Sequence, residues 1–88
     1  MPDWILLLSK EAEKHLSTLD KDTRSRIWDK ILWLKDNFDA ITPIPLSDKW
    51  GNHSKLRIGD YRVIYKVVWG KNELIIMAVG HRSKIYKL

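Results

Sequence analysis

The side chains best suited to chemistry in this sequence are the cations and histidines of its second part. Residues 1–52 carry eight Lys or Arg against nine Asp or Glu, whereas residues 53–88 carry eight against two. The cations of the second part alternate with apolar residues, so many of them point from one face of a sheet. A solvated basic face is the ordinary interpretation of such a pattern. A one-sided cationic sheet is also a surface that suits the phosphates of a nucleic acid.

The elements that position these cations are predicted by a pattern of period two that begins after His53. Residues 55–58 alternate between basic and apolar, Gly59-Asp60 is a two-residue hairpin turn, and residues 61–69 form the return strand. Residues 70–72 make a second turn, residues 73–79 a third strand, and a short tail follows at 81–88, where a small final strand is also possible. The sequence therefore predicts an antiparallel meander of three to four strands.

The first half of the chain has the period of helices. Residues 3–8 predict a short strand, Ser9 caps a first helix, and a second helix begins at residues 20–23 and runs to about Phe38. Residues 39–52 are rich in turn formers and are interpreted as a loop. The predicted fold class is α+β, in which an N-terminal strand and a two-helix hairpin precede the meander and the helices pack on one face of the sheet.

The pleat of the predicted strands brings several cations together. Lys55 and Arg57 share one face of the first meander strand, and Arg62, Ile64 and Lys66 share one face of the next. The tight turn places Arg57 and Arg62 diagonally close on the face away from the helices. The segment after the third strand delivers Arg82 to the same concavity. Because these cations repel one another, the arrangement makes sense if an anion fills it.

Composition excludes several function classes. The 88 residues suffice for one domain, spanning 1–88, and the absence of cysteine excludes disulfides, thiolate nucleophiles and cysteine-based zinc sites. No cofactor and no metal is expected. The apolar run at residues 4–8 is short and follows no basic segment, so we expect no signal peptide, no membrane association and a cytoplasmic location.

Two segments carry a resemblance to a known family: KLRIGDYRVIYKV at residues 55–67 and VGHRSKIY at residues 79–86. Together they resemble the RelE/ParE superfamily of toxins from type II toxin-antitoxin systems, and more narrowly its RelE-like branch of mRNA endonucleases. The predicted N-terminal strand and helical hairpin agree with that family in order and length. The resemblance implies the RelE-like fold for the whole chain.

The resemblance also implies an activity and the residues that perform it. The family's catalytic residues match Lys55, Arg62, Arg82 and Tyr86 in this sequence. The implied reaction is metal-independent cleavage of mRNA, in which a ribose 2′-hydroxyl attacks the adjacent phosphate and leaves a 2′,3′-cyclic phosphate. Fixed guanidinium groups would stabilise the negative charge that develops on the phosphorane.

The position of the general base stays open at the level of sequence. Well-known members carry a second lysine two positions before the one matching Lys55, and His53 occupies that position here. His81 lies where other branches place a basic residue or a catalytic histidine. Lys55, His53 and His81 are therefore all candidates for acid or base. Arg57, Lys66 and Lys84 are expected to bind RNA.

The resemblance implies partners as well. A toxin of this kind acts on mRNA in the ribosomal A site and is neutralised by a cognate antitoxin, acidic over its binding segment, in a heterodimer or heterotetramer. Two alternatives remain beside this hypothesis. A ParE-like chain of the same fold would inhibit DNA gyrase, although the match to Arg62, Arg82 and Tyr86 argues against that branch. A non-catalytic module would use the basic sheet only to hold RNA or the antitoxin.

Overall fold

The computed structural model describes residues 3–46 and 52–85, which form two helices and one five-stranded sheet. In chain order the elements are strand β1 (Ile5–Leu8), helix α1 (Lys10–Ser17), helix α2 (Lys21–Asp36), and strands β2 (Ile44–Pro45), β3 (Ser54–Ile58), β4 (Tyr61–Val68) and β5 (Glu73–His81). The predicted α+β fold class is confirmed. No helix within these residues is long and apolar enough to cross a lipid bilayer.

The sheet has the strand order β1-β5-β4-β3-β2, so β1 and β2 are its two edges. Strands β3, β4 and β5 form the predicted antiparallel meander. β1 pairs in parallel with β5, with Ile5 opposite Glu73 and Leu8 opposite Ile76. Because parallel neighbours cannot be joined by a tight turn, the helices and the other strands lie between β1 and β5 in the chain.

Both helices begin where a side-chain acceptor caps the first turn. The Oγ atom of Ser9 accepts a hydrogen bond from the backbone N–H of Ala12 at 3.1 Å, which confirms the predicted cap. The Asp20 carboxylate accepts from the N–H of Thr23 at 3.2 Å and begins α2. α2 ends at Asp36, and a single turn of 3-10 helix at Phe38–Ala40 follows it.

The main core lies between the helices and one face of the sheet. In this core Ile27, Ile31 and Leu34 of α2 have no exposed area, and Ala12 and Leu16 of α1 are also buried. Such a face follows from the three- and four-residue spacing of the apolar positions. From the strands and loops the core takes Trp4, Phe38, Val63, Tyr65, Leu74, Ile76 and Val79.

Tyr65 shows that this core also holds a polar group. Its side chain is 1% exposed and lies opposite Ser54 across β3 and β4. Burial raises the pKa of the Tyr65 hydroxyl, and a hydrogen bond with the Ser54 side chain opposes that rise. The tyrosine therefore stays protonated and acts as a structural residue.

The other face of the sheet, here called the outer face, carries a smaller apolar cluster. Ile64, Ala78 and Ile85 form it, and Ile85 has no exposed area. The pairing of β4 with β5 shifts register between Ile64 and Tyr65, which is a β-bulge. Packing is close at Gly80 beside the cluster, because a Cβ there would lie 3.2 Å from Cδ1 of Ile85 and Ile85 would have to shift by a few tenths of an ångström. The segment after β5 is thereby anchored on the outer face.

Three details of the sequence-based prediction are wrong. Residues 39–52 are not only a loop, because Ile44 and Pro45 pair with Lys55 and Ser54 as strand β2. The third meander strand continues beyond Val79 to His81. The first predicted strand begins two residues too early, because residues 3–4 lie outside β1. Each difference concerns pairing with a distant strand, which local periodicity does not report. Residues 82–85 form turns, and the remainder of the tail lies outside the described residues.

The Asp20 cap predicts a pH-dependent stability. Hydrogen bonds from the side chain and the backbone of Thr23 hold the pKa of the Asp20 carboxyl below its ordinary value. Because the folded-state pKa lies below the unfolded one, the stabilisation is fully present above the unfolded pKa of about 3.9 and is lost as pH falls through the folded pKa. We expect Asp20→Ala to lower the free energy of unfolding at pH 7, and the difference from wild type to narrow in acid.

Urea denaturation between pH 7 and pH 3 measures this effect. Asp20→Asn is the matched control, because it keeps an acceptor for the Thr23 N–H and removes the ionisable group. A difference between Asp20→Ala and wild type that stays constant over this range would contradict the assignment.

Candidate nucleic-acid interface

The turn at Gly59 and Asp60 organises the cationic end of the sheet. Gly59 has φ +57°, a left-handed conformation that glycine adopts without strain. The backbone N–H of Arg82, just beyond β5, donates to the carbonyl oxygen of Asp60 at 2.7 Å. The turn therefore joins the β3–β4 hairpin to the segment that follows β5.

Arg57 and Arg62 are direct partners across the hairpin rather than the diagonal neighbours expected from the sequence. Ile58 pairs with Tyr61 through the two-residue turn, so the next pair outward is Arg57 with Arg62. Like charges that lie directly opposite each other destabilise a sheet. The Nη1 atom of Arg62 donates to the carbonyl oxygens of Gly59 and Tyr61, both at 2.8 Å. The turn carbonyls thus hold the guanidinium of Arg62.

Arg82 lies at the same turn. Its Nε atom is 3.7 Å from Oδ1 of Asp60, and the two side chains are 63% and 71% exposed. An ion pair this open to water is weak, so a phosphate can compete with the carboxylate for the guanidinium. Arg26 of α2 approaches the turn too, with its Nη2 atom 3.2 Å from the place of a Cβ on Gly59. Sequence reasoning assigned no role to Arg26 or to the carboxylate of Asp60.

This cluster of Arg57, Arg62 and Arg82 around the turn is here called the arginine cluster. Guanidinium groups bind phosphate oxygens through two parallel hydrogen bonds, and they remain charged at all physiological pH values. Neutral turn carbonyls and one exposed carboxylate are weaker partners than a phosphodiester presented to several guanidinium groups at once. The arrangement can therefore bind a phosphodiester and stabilise additional negative charge on it.

Lys55 shares the outer face with the arginine cluster. It lies opposite the fully buried Ile64 and two residues before Arg57, so all three point from the same side of the hairpin. Among the candidates for general base, Lys55 is thus the one that lies nearest to Arg57 along β3, two residues away on the same face.

His53 and Lys66 lie toward the other end of the hairpin. Both line an open groove together with Trp69, whose side chain is 64% exposed, and with Pro43 and Pro45 at β2. Lys66 follows Arg62 by four residues, about 13 Å along the strand. The structure therefore brings His53 and Lys66 together, at a distance from the arginine cluster.

His81 lies on the helix-facing side of the sheet. Its Cα pairs with that of Tyr61, and the two rings pack edge to face with centroids 5.5 Å apart. Lys84 lines a groove with His81 on that side, away from Arg57 and Arg62. Tyr86, the last predicted site residue, lies outside the described residues. The predicted site is therefore divided between the two faces of the sheet.

Comparison with protein-family models identifies the class of protein. Residues 6–86 match the model described as the ParE toxin of the type II toxin-antitoxin system parDE. The chain belongs to this family and is a toxin of the RelE/ParE superfamily, which confirms the resemblance found in residues 55–67 and 79–86. No curated protein sequence matches the chain significantly.

Solved structures of the same fold come from bacteria and archaea. The chain is similar to a chain of the RelBE2 toxin-antitoxin complex from Mycobacterium tuberculosis, with a TM-score of 0.80, 18% identity, and coverage of 92% of this chain and 100% of the other. The isolated RelE toxin of E. coli matches with a TM-score of 0.74 and 19% identity, and the match covers 96% of this chain and 92% of the other. A chain of the RelB-RelE antitoxin-toxin complex from Methanococcus jannaschii matches with a TM-score of 0.68 and 24% identity, and the match covers 92% of this chain and 95% of the other.

The direct pairing of Arg57 with Arg62 predicts a gain in stability when one charge is removed. We expect Arg57→Gln to raise the free energy of unfolding by about 0.5 kcal/mol in low salt, because it relieves repulsion between opposed cations. Urea denaturation at low and high salt measures the gain, which should vanish when salt screens the charges.

Lys55→Gln is the matched control for Arg57→Gln. It removes one charge from the same face of the same strand, but its partner Ile64 is uncharged. Equal effects of the two substitutions would mean that general net charge, and not the Arg57–Arg62 pair, sets the stability.

Proposed function

We propose that this toxin is a ribosome-dependent mRNA endonuclease. The observation that carries the proposal is the arginine cluster, in which opposed Arg57 and Arg62 and the nearby Arg82 gather around one turn. Such a concentration of like charge opposes folding and suits a bound phosphodiester. The similarity to RelE structures supports the fold on which this interface rests.

The proposed reaction is an in-line displacement at phosphorus. The ribose 2′-oxygen forms a bond to phosphorus, its proton passes to a base, and the bond from phosphorus to the 5′-oxygen breaks as that oxygen takes up a proton. The products are a 2′,3′-cyclic phosphate and a 5′-hydroxyl. Arg62 and Arg82 exchange their turn acceptors for the non-bridging oxygens and stabilise the charge of the phosphorane.

Lys55 is the proposed base among the candidates, since it lies on the same face as Arg57 and only two residues from it along β3. His53 and His81 lie in grooves at other parts of the sheet. Tyr86 is proposed to stack on a base or to hydrogen-bond near the phosphate. Because the described residues of the interface hold no base already in line with a phosphate, the ribosome must orient the 2′-hydroxyl in line, and we expect little cleavage of naked RNA.

The proposed partners follow from this function. Action in the ribosomal A site places the protein in the cytoplasm, bound to mRNA. A cognate antitoxin, acidic over the segment that covers the cationic face, would neutralise it in a heterodimer or heterotetramer. The structural relatives from Mycobacterium tuberculosis and Methanococcus jannaschii are themselves toxin-antitoxin complexes, which supports a partner of this kind.

Inhibition of DNA gyrase is the second candidate function. The specific observation in its favour is that the matching family model is that of the ParE toxin, over residues 6–86. A ParE-like toxin needs no reacting phosphate at the arginine cluster, so its activity would survive the loss of Arg62 and Arg82. The two functions therefore predict different behaviour for the same variants.

Brief induction in a bacterium, followed by mapping of transcript 5′ ends, tests the proposal. We expect new cuts within translated regions for the wild type. For Arg62→Ala/Arg82→Ala we expect cutting to fall by roughly a hundredfold or more, because removal of one charge-stabilising donor alone costs about 10²–10³ in rate. Lys10→Ala/Lys71→Ala is the control, since it removes two exposed cations remote from the turn.

Each other outcome excludes the proposal in a distinct way. Growth arrest without cuts, accompanied by DNA damage and unaffected by the arginine substitutions, would identify a gyrase inhibitor. Neither arrest nor cuts, with the protein folded and present, would leave a module that binds RNA or antitoxin without catalysis.

A further inference from the structure

A second groove lies beside the end of α1; its surface is mostly apolar, and it extends from the helix-facing residues Tyr61, Val79 and His81 to Ile85 of the outer cluster. Residues from α1, β4, β5 and the following turn line it: His15, Thr18, Leu19, Tyr61, Val79, Gly80, His81, Lys84 and Ile85. The sequence pattern indicates no chemistry for His15 and makes His81 a candidate acid or base, with no link between the two. The structure instead brings the two histidines to one groove, although 66 positions separate them in the chain.

His15 has a defined proton arrangement. Its Nδ1 atom accepts a hydrogen bond from the backbone N–H of Val79 at 3.2 Å, next to the β-bulge of β5. A ring nitrogen that accepts carries no proton, so the neutral imidazole holds its proton on Nε2. The helix that carries His15 is also held against β5 at its N-terminal cap, because the Oγ of Ser9 donates to the carbonyl oxygen of Met77 at 3.0 Å. The two contacts together fix the position of the ring.

His81 has the same arrangement at the other side of the groove. Its Nδ1 accepts from the backbone N–H of Ser83 at 3.1 Å, and the Oγ of Ser83 lies 2.9 Å from the same nitrogen. The ring packs edge to face against Tyr61. Its proton therefore also lies on Nε2. With Nδ1 accepting in each ring, Nε2–H is the donor that each histidine has available.

The other polar side chains of the groove can donate as well. Lys84 offers an ammonium and Tyr61 a phenolic O–H. The backbone N–H of Lys84 donates to the backbone carbonyl oxygen of His81 at 2.9 Å, which holds the two residues close together. No aspartate or glutamate is among the described residues that line the groove. A site with one cation, several donors and no carboxylate is suited to an anion.

The position of the groove identifies the class of anion. His81 directly precedes Arg82, and Gly80 pairs with Arg62, so the groove and the arginine cluster occupy the two faces of one sheet end. An RNA strand carries a phosphate on every nucleotide, and contacts to phosphates beside the reacting one set the position of the strand. An RNA held at Arg62 and Arg82 therefore has neighbouring phosphates that can reach around this end.

We propose that the groove of His15, Tyr61, His81 and Lys84 binds a phosphate group of the RNA that flanks the phosphate at the arginine cluster. The inference rests on the proposed function, since it requires RNA as the ligand. It assigns His81 and Lys84 to positioning of the strand, apart from the reacting phosphate. The Nε2–H groups and the Lys84 ammonium donate to the phosphate oxygens.

Nuclear magnetic resonance of the full ¹⁵N-labelled chain, produced by cell-free synthesis, tests the groove directly. The probes are inorganic phosphate and a 2′-O-methyl RNA oligonucleotide, which binds but has no 2′-hydroxyl to react. We expect both probes to shift the Nε2–H signals of His15 and His81 saturably. The RNA should also shift the backbone signals of Arg62 and Arg82.

Substitutions separate the groove from the fold. His15→Asn and His81→Asn keep an oxygen acceptor near the place of Nδ1 and remove the Nε2–H donor, so the contacts to Val79 and Ser83 persist. We expect His81→Asn and Lys84→Gln each to weaken RNA binding about fivefold. The Tm should be unchanged for Lys84→Gln and lowered only slightly for His81→Asn, which loses the ring packing on Tyr61. Lys71→Gln is the matched control, because it removes one exposed cation that does not line the groove, and its affinity should stay within about twofold of the wild type.

The outcomes distinguish failure of this inference from failure of the proposed function. RNA that shifts the Arg62 and Arg82 signals but neither histidine overturns the groove and leaves the endonuclease proposal standing. Shifts of the histidines by poly-glutamate and not by RNA would assign the groove to an acidic protein segment. RNA that binds nowhere, together with transcripts that stay uncut in cells, would overturn both.

Discussion

The constraint on which the cationic end of the molecule depends is the two-residue turn of Gly59 and Asp60. The left-handed φ of Gly59 allows the tight reversal that sets Arg57 directly opposite Arg62. The carbonyls of the turn then hold the guanidinium of Arg62, and the Asp60 carbonyl holds the backbone of Arg82. Because one turn supplies all of these contacts, a change of turn type would disperse the arginines together.

The arginines would not stay together without apolar packing beneath them. Ile85 is fully buried against Ile64 and Ala78 on the outer face, and it packs closely over Gly80, where a Cβ would lie 3.2 Å from its Cδ1 atom. This packing holds the segment after β5 at the turn in spite of the repulsion among cations. Burial of one such aliphatic side chain contributes about 1.5–3 kcal/mol, more than an opposed pair of exposed like charges costs, about 0.2–1 kcal/mol.

Helix α1 is joined to β5 by side-chain hydrogen bonds at both of its ends. Its cap residue Ser9 and its last-turn residue His15 both hydrogen-bond to the bulged part of β5, at Met77 and Val79. Backbone groups that the irregular pairing leaves free of the ladder thus find partners in the helix, as buried polar groups must. The same contacts direct one histidine into the groove beside His81, so the irregularity of the strand and the character of that groove have one origin.

The sequence by itself determined the helices, the meander, the hairpin turn and the identity of the cationic face, because caps, turn residues and the period of two are local signals. The family is also indicated by the sequence, through the two segments at residues 55–67 and 79–86. Only the tertiary structure decided that Ile44 and Pro45 form an edge strand, that His81 lies on the face opposite Arg62, and that His15 meets Val79 across 64 positions. These features depend on strand pairing, a bulge and packing between distant elements, and no local pattern records them.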